Sequence, residues 1–223
     1  MLLRSKYAKA RPEARLARTE DIGSVAGEAL DALARRRAGT PAPSAFSDHP
    51  HPWTLDFARL LARRVDDRLS AGAPWPGRHL ISCDGAAGRS GMTSHAPGER
   101  LLAPAWLHDV AWRVEREDGS ALADTPLVAR LVWRGGWPQL VGACDAIAAC
   151  RARVRLVCAN ADPARAVGEM TLAEALAFRI SAFAPAGDRV VLAFYGGDDA
   201  GAERAGFTLF DYACGERDVK PRR

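Results

Sequence analysis

Arg130 places a guanidinium in the middle of the apolar run "PLVARLVW", between Leu127, Val128 and Ala129 on one side and Leu131, Val132 and Trp133 on the other. Earlier in the chain, Asp109 sits in "AWLHDVAWRV", where Trp106, His108, Val110 and Trp112 alternate with Leu107, Asp109, Ala111 and Arg113. A lone carboxylate on a half-buried strand needs a partner, and a guanidinium supplies charge-assisted hydrogen bonds. The Asp118-Gly119 pair predicts a hairpin turn that puts the two on neighbouring strands. Other reactive side chains fit no spacing that chemistry requires. Ser90 lies in "GRSGM", where Met92 takes the last position of G-x-S-x-G. "DGAAGRSGM" lacks the G-K-[ST] ending of a phosphate-binding loop. His49 and His51 in "DHPHPW" are interleaved with prolines and have no third ligand nearby, which predicts a surface loop.

Composition narrows the classes. The chain has 223 residues, 48% hydrophobic and 26% charged, enough for one well-buried core. No apolar stretch approaches the ~20 residues of a membrane span, and no apolar region follows the basic residues of "MLLRSKYAKARPEARLARTE" as a secretory signal requires. Five cysteines (Cys83, Cys144, Cys150, Cys158, Cys214) are an odd number without C-x-x-C spacing, and all but Cys83 lie in apolar segments. That predicts reduced thiols, a cytoplasmic location and no structural zinc. Lysine stands only at Lys6, Lys9 and Lys220, so chemistry needing a core lysine is excluded. The net charge of +4 permits a nucleic-acid or acidic partner.

The periodicity predicts the elements that must position these residues. After a basic arm of about 20 residues, Ile22, Val25, Ala26, Ala29, Leu30 and Leu33 form a helical stripe that ends before Gly39. A proline-rich loop leads to a second helix with Leu55, Ala58, Leu61, Ala62, Val65 and Leu69 on one face. A strand at His79 to Cys83, a mobile loop from Asp84 to Glu99, the strand around Asp109 and a strand from Pro126 to Trp133 follow. Pro138 marks the first turn of the next helix, and "VRLVCA" is a buried strand. Thr171 and Glu174 form a capping box for "TLAEALAFRISAFA", and "DRVVLAFY" and "AGFTLFDYA" close the chain as strands. The expected fold is α/β: a mixed sheet flanked by helices, with residues 1–52 as a basic arm and helix and 53–223 as a single domain.

Over residues 53–159 the order helix, strand, strand, strand, helix, strand resembles the core of the PD-(D/E)xK, restriction-endonuclease-like superfamily, and it covers about half of the chain. The resemblance implies an aspartate on the second core strand, at Asp109. It implies a metal-binding x-spaced pair on the third strand, which falls on Arg130 and Val132, with Trp133 as the aromatic that follows. Some members draw an acid from the next helix, here Asp145, or from the first helix, here Asp66 or Asp67. In such a site alternate strand residues share a face, and hard carboxylate oxygens hold magnesium that activates water against a phosphodiester.

With arginine at the acid position, the resemblance implies an incomplete metal site and no cofactor. Asp109 and Asp145 would be vestigial or weak catalytic residues, and Arg113, Arg130, Arg134 and Trp133 would bind a partner. The expected function is a non-catalytic module associated with nucleic acid or regulation. The alternatives are a weak magnesium-dependent nuclease using Asp109, or a protein-interaction module, including a homodimer, with some of Trp53, Trp75, Trp106, Trp112, Trp133 and Trp137 as anchors.

Overall fold

A computed structural model describes residues 17–38, 52–83, 108–119, 121–133, 136–196 and 206–215. The predicted N-terminal arm before residue 17, the proline-rich loop with His49 and His51, the Asp84 to Glu99 loop with Ser90, and the positions of Trp106 and Arg134 lie outside these residues.

Helix α1 (Thr19–Arg37) forms where the apolar stripe predicts it, with Glu20 and Asp21 in its first turn and Arg35, Arg36 and Arg37 in its last. Both ends thereby complement the helix dipole. Helix α2 (Pro52–Ser70) buries Trp53, Phe57, Ala58, Leu61 and Val65. Ion pairs from Arg37 to Asp56 and from Arg68 to Glu28 fix the two helices antiparallel.

Strands β1 (Arg78–Cys83), β2 (Val110–Glu115) and β3 (Leu122–Val132) pair antiparallel. The β2–β3 connection turns at Gly119, whose φ of 67° lies in the left-handed region, and its N–H donates to the Arg116 carbonyl. A D-G pair was the expected device here, because glycine adopts that backbone without steric cost. Helix α3 (Trp137–Ala148) then returns the chain to β4 (Val154–Ala159), which pairs parallel with β3.

A two-residue ribbon, β5 (Ala166–Val167) with β6 (Met170–Thr171), precedes helix α4 (Leu172–Ser181). The Thr171 hydroxyl accepts from the Glu174 N–H at 3.3 Å, and the Glu174 carboxylate accepts from the Thr171 N–H at 2.8 Å. Strands β7 (Arg189–Gly196) and β8 (Gly206–Ala213) complete a six-stranded sheet in the order β1-β2-β3-β4-β7-β8. β7 is parallel to β4 and antiparallel to β8, so the sheet is mixed, as expected.

Strand alternation builds two cores. Trp112, Leu127, Ala129, Leu131, Leu156, Cys158 and Ala193 point toward α1 and α2. Ala111, Val128, Val157, Leu192 and Phe194 point toward α3 and α4. α1 therefore shares one core with α2 and the sheet.

Three expectations are corrected. β3 begins at Leu122 rather than Pro126. Proline lacks an N–H for a ladder, but here it falls in a register shift against β2 and before the β4 pairing, which starts at Leu127. The β5–β6 ribbon was not expected, because two-residue strands carry no readable alternation. Cys83 is buried like the other four free cysteines. Among the described residues, no helix is long and apolar enough to cross a membrane.

Candidate functional site

The register Val110↔Ala129 sets Asp109, just before β2, across from Arg130, and the Asp109 N–H donates to the Ala129 carbonyl at 2.9 Å. Because Val128 and Val132 belong to the core under α3 and α4, alternation puts Arg130 on that same side of the sheet. Arg130 Nη1 donates to Asp109 Oδ1 at 2.9 Å, and the Leu131 N–H donates to Oδ2 at 2.7 Å. Both carboxylate oxygens thus accept from the neighbouring strand. The pair is half-buried, with side-chain exposures of 26% for Arg130 and 14% for Asp109.

The other residues singled out from the sequence go elsewhere. Asp145 is exposed on α3 and accepts two bonds from Arg179 of α4, at 2.5 and 2.7 Å. Those hydrogen bonds hold its carboxyl below the usual value. It straps two helices together. Asp67 pairs with Arg64 one turn earlier on α2, and Asp66 is exposed beside it. Trp133 is buried, donates from Nε1 to the Thr54 hydroxyl at 3.0 Å and meets Trp53 edge-on at 5.1 Å. It belongs to the α1–α2 core, across the sheet from Arg130. Arg113 is nearly buried on β2, opposite Leu80. Of the expected set, Asp109 and Arg130 are joined by a direct bond.

The remaining reactive groups are quenched by burial. Burial pushes the Cys144 thiol up to about 12 and also raises Cys150, Cys158 and Cys214, which keeps these thiols protonated and poor nucleophiles at neutral pH. His79 lies between Trp75 and Trp112; its Nδ1 accepts from Trp112 Nε1 at 3.0 Å. Burial holds this ring below the ordinary histidine value.

One concentration of charge was missed in the sequence. At the end where α1 finishes and α2 begins, the Asp56 carboxylate, only 4% exposed, meets three guanidinium groups. Arg37 hydrogen-bonds it, Arg36 Nε lies at 3.6 Å and Arg59 Nη1 at 3.7 Å. Arg37 also covers the Trp53 ring at 5.9 Å, a cation–π arrangement. Arg35 is exposed in the same last turn of α1, and Arg63 is exposed one turn after Arg59 on the same helix face. The signal was the Arg35-Arg36-Arg37 run with the Arg59/Arg63 spacing of four, but nothing in the sequence says that the two segments meet. Three guanidinium groups on one carboxylate leave a surplus of positive charge at this end. Among the described residues, no group of three or more His, Cys, Asp or Glu side chains is placed to hold a metal ion.

No family model matches the chain, and no curated protein matches it. Among solved structures it is similar to a carbon–nitrogen hydrolase from Helicobacter pylori G27, at 13% identity, with 90% of this chain and 78% of that chain covered and a TM-score of 0.25. A likeness that low carries no argument about activity. The resemblance to the PD-(D/E)xK superfamily is corrected by these findings: no family model and no curated protein supports it. The element order on which it rested is common to many mixed α/β proteins.

Proposed function

We propose that this chain is a non-catalytic module that associates with nucleic acid, gripping the phosphate backbone at the shared end of α1 and α2. The observation that carries this reading is the convergence of Arg36, Arg37 and Arg59 on the buried Asp56, with Arg35 exposed in the same turn of α1 and Arg63 exposed one turn further along α2. A buried carboxylate fixes guanidinium groups that would otherwise be mobile, and pre-organised planar forks suit phosphate oxygens. Phosphate contacts of this kind give affinity without sequence reading. The Asp109–Arg130 bond supports the non-catalytic part. An acid whose two oxygens already accept from a guanidinium and a backbone N–H is a poor base and a poor metal ligand. Magnesium and other cofactors have no part in this reading.

Fluorescence anisotropy with a short labelled duplex tests it. Arg35→Glu/Arg63→Glu, at two exposed positions, is expected to weaken binding at least about tenfold, in keeping with the loss of two phosphate contacts. Arg116→Glu, an equal change of charge per site on the exposed β2–β3 turn, is expected to leave it nearly unchanged. Equal losses from both variants would reduce the effect to overall charge and remove the assigned surface.

A second reading, a self-associating module, rests on Phe178 and Phe183 at the end of α4, which are 68% and 73% exposed. Trp53, Trp112 and Trp133 are buried and do not serve it, whereas Trp75 is half-buried and Trp137, on α3, is exposed. Sedimentation of the wild type against Phe178→Ser/Phe183→Ser decides between a dimer held by this surface and a monomer.

A further inference from the structure

A cleft of about 430 Å³ opens at the end of the sheet where β3 and β4 begin and the chain enters β7. Its size falls in the range of small-molecule sites. Its walls combine two chemistries. Leu122, Ala152 and Pro185 supply apolar surface, and Leu122 is 56% exposed, a high value for a large apolar side chain. Arg151, Arg153 and Arg155 supply charge at alternate positions leading into β4.

Two of these arginines are neutralised within the protein. Arg155, 2% exposed, donates from Nη1 to Asp188 at 2.7 Å and from Nη2 to the Cys150 carbonyl at 2.9 Å. Arg153 pairs with Asp124 at 2.7 Å. Among the described residues, the Nε groups of both are buried without a hydrogen-bond partner, so neither side chain is free to turn outward. The Arg151 guanidinium makes no ion pair or hydrogen bond among the described residues. Three arginines against Asp124 and Asp188 leave one positive charge, and it sits on the exposed member.

We propose that this cleft binds a small amphipathic monocarboxylate, its carboxylate on Arg151 and its apolar body against Leu122, Ala152 and Pro185. One surplus charge matches a carboxylate rather than a phosphate dianion, and a guanidinium fork meets a carboxylate through two parallel bonds. The walls lower the local dielectric and focus the arginine field into the cleft. The site is separate from the α1–α2 arginines and stands independently of the nucleic-acid reading.

Calorimetric titration of the full chain with sodium hexanoate tests the proposal. Hexanoate is expected to bind saturably at a single site. Hexanol, which has the body without the charge, and inorganic phosphate, which has the charge without the body, are each expected to bind at least about tenfold more weakly. Arg151→Gln, at an exposed position outside every ion pair among the described residues, is expected to weaken hexanoate by about tenfold with an unchanged melting curve, and Leu122→Ser to weaken it to a lesser extent. No saturable hexanoate binding, hexanol or phosphate binding as tightly, or an unchanged affinity in Arg151→Gln would each overturn it.

Discussion

Arg130 Nη1 lies 2.9 Å from Asp109 Oδ1, and the Leu131 N–H holds the other oxygen at 2.7 Å, so one strand supplies a donor to each carboxylate oxygen of its neighbour. This relationship explains why an apolar strand carries a guanidinium. The carboxylate at the start of β2 needs a donor on the α3–α4 side of the sheet, and Arg130 is the position across from it. Removing either side chain breaks this half-buried ion pair. Asp109→Asn and Arg130→Met are each expected to destabilise by about 2 kcal/mol, and the double variant by less than their sum. Urea denaturation of the four proteins measures the coupling. Additive losses would show that the bond contributes nothing beyond its parts.

The same saturation predicts a catalytic outcome. Incubation of the purified chain with magnesium and DNA or RNA is expected to give no cleavage above background, with wild type and Asp109→Ala indistinguishable. Robust cleavage abolished by Asp109→Ala would return Asp109 to a catalytic role.

His79 predicts a pH dependence. Burial lowers its pKa from the ordinary 6.5, so the folded protein keeps the ring neutral, with Nδ1 accepting from Trp112. The unfolded chain takes up the proton first as pH falls. Stability is therefore fully present above about 6.5 and is lost as pH drops from there through the folded pKa. Denaturant midpoints compared on either side of this window are expected to fall on the acid side, and His79→Gln is expected to flatten the difference. An equal fall in the variant would assign the effect to another group.

The capping box gives a fourth outcome. Thr171→Ala removes the hydroxyl that accepts from the Glu174 N–H, and a loss of about 1 kcal/mol in thermal or urea unfolding is expected. Thr171→Asp, which restores an acceptor at the cap, is expected to recover most of it.

What the sequence made legible follows from which signals are local. The Ile22 to Leu33 stripe, the Thr171–Glu174 box and the Asp118-Gly119 turn are written within a few residues, and each stands where it was expected. The Asp109–Arg130 bond was expected because the hairpin puts the two on neighbouring strands, but the turn alone did not fix the pairing, since the register shifts between Trp112 and Glu115. Pro126 misled, since a proline reads as a strand boundary unless the bulge that accommodates it is known. The destinations of Asp145 and Trp133 depend on packing between elements distant in sequence: Arg179 lies on another helix, and Thr54 on another still. The arginine cluster at Asp56 was hidden for the same reason, because its two halves come from α1 and α2 and meet only when the helices pack antiparallel. Family-level inference from element order failed because order alone constrains neither site nor ancestry.

The most direct measurement is the salt dependence of nucleic-acid binding, read as the slope of log affinity against log salt on a short duplex. With about four arginines of the α1–α2 end on phosphates, the wild-type slope is expected at roughly −3 to −4, and Arg35→Glu/Arg63→Glu is expected to shallow it by about 2. A wild-type slope near zero, or a slope that the double variant leaves unchanged, would contradict the assignment of this surface to nucleic acid.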